Sequence, residues 1–280
     1  MTVRVVTDSG SDLPEEMIAR YGISVIPLYI NIGPTSYLDG VDLSRQSFYE
    51  QLSSYEDHPT TSAPGPAAFA NEYEQLASQG ATGVVSIHIA ASLSSTYNAA
   101  QVGAEATRTV PVTVFDSGQL SLGVGLLALA AAKAAEMGKS LTEIVELLKN
   151  MSRRVYTFAA LDTLEFLRRS GRLNQFQFGL GTLLSVKPLI KLYRGELEME
   201  RVRTSKRSLD RMIELVSELG PLEHLSFAHT QALKKIEVLR QRVSHLVPGN
   251  EEPFCAQVTP VIGAHIGPNA VGLICVVAGG

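Results

Sequence analysis

Residues 84–100, VVSIHIAASLSSTYNAA, decide how the chain reads. Val84 to Ile89 is an unbroken apolar, β-branched run of the kind that forms a buried strand. Small residues then give way to hydroxyls at Ser92, Ser94, Ser95 and Thr96. From Tyr97 to Ala106 the sequence is Ala-rich and free of proline, which favours a helix. A strand feeding a hydroxyl-rich helix start gathers N–H and O–H donors at one point, a physical means of holding a carboxylate or phosphate. A plain helix cap, with one hydroxyl satisfying one backbone N–H, accounts for the same residues. The stretch alone leaves both open.

Working outward, the pattern repeats. Val3 to Thr7 is a short strand running into Asp8-Ser9-Gly10-Ser11-Asp12, and Pro14 opens a helix that ends near Gly22, with Asp12 as its cap. Ile23 to Ile32 is a second β-rich run. Helical periodicity follows at Leu43–Leu52 and Pro66–Ala77, separated by Pro59-Thr60-Thr61-Ser62-Ala63-Pro64. Val110 to Phe115 leads into Asp116-Ser117-Gly118, then a long Ala-rich helix, Leu120–Met137, and an amphipathic one, Ser140–Asn150. Ser140 and Glu143 have capping-box spacing. Strands alternating with helices predict an α/β fold with a parallel sheet flanked by helices. Ligands of such sheets gather at the carboxyl ends of strands, where Asp8, the 92–96 cluster and Asp116 all fall.

The second half has another rhythm. A strand at Val155–Leu161 precedes a short helix, Leu164–Arg169, broken by Ser170-Gly171-Arg172. Leu184–Leu192 and Glu198–Arg203 flank a hairpin signal at Arg194-Gly195-Glu196. Helices are expected at Ser205–Leu219 and Leu233–Leu246, and strands at Leu225–His229, Phe254–Val258 and Val271–Val277. The reading divides the chain into an N-terminal α/β domain, 1–160, and a C-terminal α+β domain, 161–280, packed closely because no low-complexity linker separates them.

The 280 residues are 45% hydrophobic and 19% charged, which predicts a packed core rather than disorder. A net charge of −4 gives no basis for general nucleic-acid binding. Residues 151–211 nevertheless hold 13 Lys/Arg against 6 Asp/Glu, a local +7, leaving 11 against 22 elsewhere, a local −11. Such asymmetry suits an acidic partner, a phosphate or a transient membrane-surface contact, and equally a merely solvated face. Cys255 and Cys275 lack metal-ligand spacing and read as small apolar core residues of a reduced compartment. The chain enters a strand without a leader pattern, and Gly123, Gly125 and Lys133 interrupt the most apolar helix, so a cytoplasmic protein without a bilayer span is expected.

Familiar catalytic signatures are missing: no GxGxxG after a strand, no HExxH, no GxSxG and no acidic metal loop. Gly138-Lys139-Ser140 ends like a phosphate loop, but Lys133 stands where its first glycine belongs. No cofactor or metal is expected. Four stretches carry candidate chemistry, each with a bland alternative. Thr61-Ser62-Ala63-Pro64 offers two hydroxyls before a stiffening proline, or an ordinary loop. The Ser94 cluster is an anion cradle or a cap. Arg168-Arg169-Ser170-Gly171-Arg172 turns a helix end so that an arginine faces a carboxylate, or is a surface C-cap. In Gly263-Ala264-His265-Ile266-Gly267-Pro268 a histidine sits between glycines, accessible or structural.

Together these stretches resemble the DegV family. TDSGSDL at Thr7, TSAP at Thr61, SLSSTYNAA at Ser92, FDSG at Phe115, LEFLRRSGRL at Leu164, VKPLI at Val186, RVRTSKRS at Arg201 and GAHIGPNAVG at Gly263 follow that family's signatures in order. The resemblance implies a two-domain α/β protein that binds a long-chain fatty acid in a tunnel between its domains. It further implies an acyl-carrying, non-catalytic subunit of a bacterial fatty acid kinase, serving phospholipid metabolism by presenting the carboxylate to a separate ATP-dependent kinase subunit. On that basis Thr61 and Ser94, with Ser62 beside them, would bond the carboxylate, while Arg172 and His265 match the family's arginine and histidine near the same head group. Departures from the family pattern fall at Ala63 with Gly65, at Ser95, and at Ser170. Arg201 and Arg203 in the basic segment are the candidate docking residues for the kinase subunit.

Burying about fifteen methylenes at roughly 0.8 kcal/mol each gives a gross gain on the order of 12 kcal/mol. Affinity would then come from the tunnel, and hydroxyls with His265 would fix orientation. Two alternatives stand beside this reading: a lipid or acyl-phosphate hydrolase or transferase using Ser94 and His265, and a sensor for another carboxylate or phosphate ligand.

Overall fold

The computed structural model describes residues 2–175, 186–249 and 253–279. Strand β1 (Val3–Asp8) lies between β2 (Ser24–Ile26) and β6 (Gly83–His88), and β7 (Val112–Asp116) completes a four-stranded, all-parallel sheet in the order β2-β1-β6-β7. Helices α1 (Glu15–Tyr21), α3 (Pro66–Ser78) and α4 (Thr96–Ala106) lie in its crossovers, and α5 (Leu122–Glu136) and α6 (Leu141–Ser152) follow its last strand in the chain and pack against it. β6 is buried at every residue, as its unbroken apolar run requires.

The run Ile23–Ile32 is not one strand. Pro27 divides it, and β3 (Tyr29–Ile32) joins β4 (Thr35–Leu38) and β5 (Thr60–Ser62) in a small antiparallel sheet, β4-β3-β5. Proline has no N–H to continue a ladder, so the chain leaves the first sheet there. Pairing of Ile30 with Thr61 turns the TSAP stretch from an expected loop into a strand edge. Helix α2 (Arg45–Gln51), capped by Ser44, lies between β4 and β5 in the chain.

A second sheet has six strands in the order β10-β9-β8-β13-β11-β12, formed by β8 (Val155–Ala160), β9 (Lys187–Tyr193), β10 (Glu196–Val202), β11 (Leu222–His229), β12 (Cys255–Gln257) and β13 (Val271–Val277). Only β11 and β12 pair in parallel. Helices α7 (Glu165–Arg169), α8 (Ser205–Glu218), α9 (Leu233–Arg242) and α10 (Pro260–Ile266) accompany it. The mixed α/β architecture agrees with the sequence reading. One detail of the division differs: β8, assigned to residues 1–160, pairs with β13 and β9 in the second sheet. Positions 184 and 185 of the expected strand Leu184–Leu192 lie outside the described residues.

Helix α5 packs against β1 and β6 on one side and β8 and β13 on the other, which explains why it is apolar around its circumference. Gly125 is required there, because a β-carbon would strike the Ser11 carbonyl. Ser140 and Glu143 form the expected capping box at the start of α6. Asp12 does not cap α1, whose N-cap is Pro14 without a side-chain bond. Its carboxylate is instead buried and accepts from the Thr259 N–H at 2.7 Å. Among the described residues no helix is long and apolar enough to cross a membrane.

Candidate functional site

Asp8 and Asp116, both expected at the ligand-binding edge of the parallel sheet, serve as scaffolding. Asp8 is fully buried and accepts from Gly10 N at 3.0 Å, His88 Nδ1 at 2.9 Å and Ile89 N at 3.1 Å. These bonds fix the end of β6 just before the hydroxyl cluster. Asp116 Oδ1 accepts from Ala91 N and Gly118 N, bracing the turn from outside. Ser92 donates to the Gly195 carbonyl at 2.7 Å, and Gly195 N donates to the Gly118 carbonyl at 2.8 Å, so the β9–β10 hairpin is tied to this same turn.

The turn presents Ser94. Its backbone N–H bonds the Ala90 carbonyl, and its Oγ lies 2.7 Å from Thr96 Oγ1 while accepting from Thr96 N at 3.3 Å. Ser95 occupies the N-cap position of α4 but makes no capping bond. The cap is therefore provided by Ser94, and the two readings of the stretch describe one residue.

Ser94 opens onto a cavity of about 570 Å³ that is also lined by Thr61, Ser62, Arg172 and His265. All five residues singled out for the head group thus share one cavity, although they come from the small sheet, the β6–α4 turn, the turn after α7 and the last turn of α10. The rest of the wall is mainly apolar, including Leu28, Ile89, Leu120, Ile190, Leu192 and Ile262. Its volume lies in the range of ligand sites, and the contrast between an oily wall and a few convergent polar groups is what such sites share.

Thr61 Oγ1 and His265 Nε2 lie 2.9 Å apart. Burial, then the nearby Arg172 charge, then His58, push the His265 pKa down to about 3, so the imidazole is neutral near pH 7. Its buried Nδ1 has no hydrogen-bond partner among the described residues. Arg172 donates to the Ser170 carbonyl at 3.1 Å, which orients the guanidinium and leaves further donors. Ser62, more exposed, accepts from Asn31 Nδ2 at 3.4 Å. An anion placed here meets neutral O–H donors, a neutral imidazole and one arginine. Ser94 bonds Thr96 rather than His265, so the nucleophile–base contact of a hydrolase is not made between them. The Ser–His–Asp chain that does exist, Ser86–His88–Asp8, is sealed in the core and bonded to Tyr73.

His58, which the sequence reading does not single out, stands near His265 without lining the cavity. Its ring lies 5.7 Å from that of Phe166, its buried Nε2 has no hydrogen-bond partner among the described residues, and its pKa is lowered by burial and then by Arg169. No motif surrounds it, and proximity to Thr61 in sequence is the only signal. Among the family departures, Ala63 and Ser95 line the cavity, whereas the Ser170 hydroxyl turns back to the Leu167 carbonyl at 3.4 Å. Arg201 and Arg203 are exposed at the end of the edge strand β10, flanking buried Val202, and do not line the cavity.

A family profile described as "Uncharacterised protein, DegV family" matches residues 2–278. The chain belongs to the DegV family. A DegV domain-containing protein of Streptomyces coelicolor is 36% identical over 275 residues, covering 97% of both chains. Among solved structures, a DegV family protein of Thermus thermophilus described by its fatty acid binding is 32% identical, with a TM-score of 0.89 over 99% of this chain and 100% of that one. DegV of Bacillus subtilis, described as a fatty acid binding protein, is 29% identical, with a TM-score of 0.88 over 99% of each chain.

Proposed function

We propose that this DegV protein binds one long-chain fatty acid, with the acyl chain along the apolar wall and the carboxylate at Thr61, Ser62, Ser94, Arg172 and His265. The observation that carries the reading is the convergence of these five residues on one largely apolar cavity. The fatty-acid-binding relatives from Thermus thermophilus and Bacillus subtilis support the ligand class. Hydroxyl donors and a neutral imidazole share the carboxylate with a single arginine, Arg172, and affinity comes mainly from methylene burial. A head group held in this way stays available for transfer. The protein accordingly acts as the non-catalytic subunit that presents the carboxylate to a separate ATP-dependent kinase subunit, with Arg201 and Arg203 in the docking surface.

Titration of delipidated protein with palmitate tests the binding step. Saturable 1:1 binding, micromolar or tighter, is expected, with weakening in Thr61→Val and Ser94→Ala. Absence of saturable binding would remove the proposal.

A further inference from the structure

A second cluster of ionisable side chains sits at the opposite end of α10 from His265. The backbone entering this helix is held at three successive residues by side chains from the first fifty. Arg45 donates to the Gln257 carbonyl, Tyr49 Oη donates to the Val258 carbonyl at 2.9 Å, and Asp12 Oδ1 accepts from Thr259 N at 2.7 Å. The Thr259 hydroxyl donates to Asp39 Oδ2, the Ser121 hydroxyl donates to Asp12 Oδ2, and Arg45 Nη2 lies 3.6 Å from Asp12 Oδ1. Tyr49 also lies against Gly263, in space that a β-carbon would occupy.

Stability alone is a poor reason for this arrangement. Asp12 and Asp39 are both buried against a single arginine that is a third exposed. Apolar residues of similar volume often hold such a position as well or better. Burial raises the pKa of both carboxylates, a further sign that the charges are costly where they stand. What the cluster does supply is directional fixing of the helix entry. From Thr259 to His265 is six residues, about 9 Å of helix, and a packed helix carries a shift of its first turn to its last.

We infer that Asp12, Asp39 and Arg45 are positioning residues that clamp the entry of α10, so that its last turn holds His265 against Thr61 for carboxylate recognition. The inference rests on the head-group reading proposed above.

The test compares palmitate with 1-hexadecanol, a ligand of equal chain length without the carboxylate, on full-length delipidated protein. Asp12→Ala and Thr259→Val should each weaken palmitate at least tenfold while changing 1-hexadecanol less than twofold. Asp12→Asn keeps an acceptor for the Thr259 N–H and should recover most of the palmitate affinity. A general loss of structure would weaken both ligands together, and that result in the conservative Thr259→Val would overturn the clamp, as would unchanged palmitate binding. His265→Gln reports on the head-group reading separately. It should show the same split between ligands, and its absence would overturn that reading and the clamp with it, whereas a split in His265→Gln alone would overturn only the clamp.

Discussion

Thr61 and His265, 204 positions apart in the chain, meet at 2.9 Å at the polar side of the cavity. One arrives on the edge of a three-stranded sheet and the other on the last turn of a helix from the far end of the sequence. Their contact is a point where distant parts of the chain converge on the cavity wall.

Removing a single donor at this point should cost about 1–2 kcal/mol of binding, or roughly five- to thirtyfold in Kd for palmitate. Thr61→Val and Ser94→Ala are the variants of choice, measured by calorimetry on delipidated protein. Thr61→Val should leave the melting temperature close to the parent value, since that side chain is partly exposed at the cavity wall, whereas Ser94→Ala also removes the bond to Thr96 N at the start of α4 and should lower it by a few degrees.

The pH dependence of stability carries two opposing contributions. Burial raises Asp12 from 3.8 to about 6, so the folded state takes up a proton and this contribution falls as pH rises from about 4 to 6. Asp39, also raised by burial, acts in the same sense. Burial lowers His265 from 6.5 to about 3, so its contribution rises with pH across the same window. Relative to the parent, Asp12→Asn should make the slope of unfolding free energy against pH more positive by up to about 1.4 kcal/mol per pH unit. His265→Gln should make it more negative by a similar amount. Urea titrations from pH 4 to 6.5 read both, and slopes that shift together would contradict the assignment.

Asp8 predicts a structural effect of another size. Its carboxylate accepts three bonds in the sealed core, so Asp8→Ala strands His88 Nδ1 and two backbone N–H groups. A loss of about 3–5 kcal/mol in chemical denaturation is expected. A loss under 1 kcal/mol would show that the Asp8–His88–Ser86 chain does not hold the β6 turn.

Charge reversal at Arg201 and Arg203 separates docking from binding. With a purified ATP-dependent fatty acid kinase subunit, Arg201→Glu combined with Arg203→Glu should lower acyl phosphate formation at least tenfold and raise its salt sensitivity. Palmitate affinity should remain unchanged. Loss of both activities, or of neither, would count against the docking surface.

Local signals in the sequence were readable and long-range ones were not. The Ser140–Glu143 capping box, the Arg194-Gly195 hairpin and the buried β6 run involve neighbours a few residues apart, and each forms where its pattern indicates. Asp12 reads as a helix cap because Leu13-Pro14 follow it, yet its partner is Thr259, 247 positions away. The Asp39–Thr259 bond spans 220 positions and leaves no local trace. Pro27 was visible in the run 23–32, but its consequence, a third sheet that delivers Thr61, depends on pairing with a strand thirty residues later. The site residues became readable because eight ordered stretches resembled one family, not because any single stretch specified a carboxylate.

The most direct measurement is native mass spectrometry of the protein purified from cells without delipidation. A bound mass matching one C14 to C18 fatty acid per chain is predicted, lost together with the ligand when the protein is stripped and regained on adding palmitate. A protein that is stably empty, or one carrying a ligand of unrelated mass that palmitate does not displace, would contradict the account.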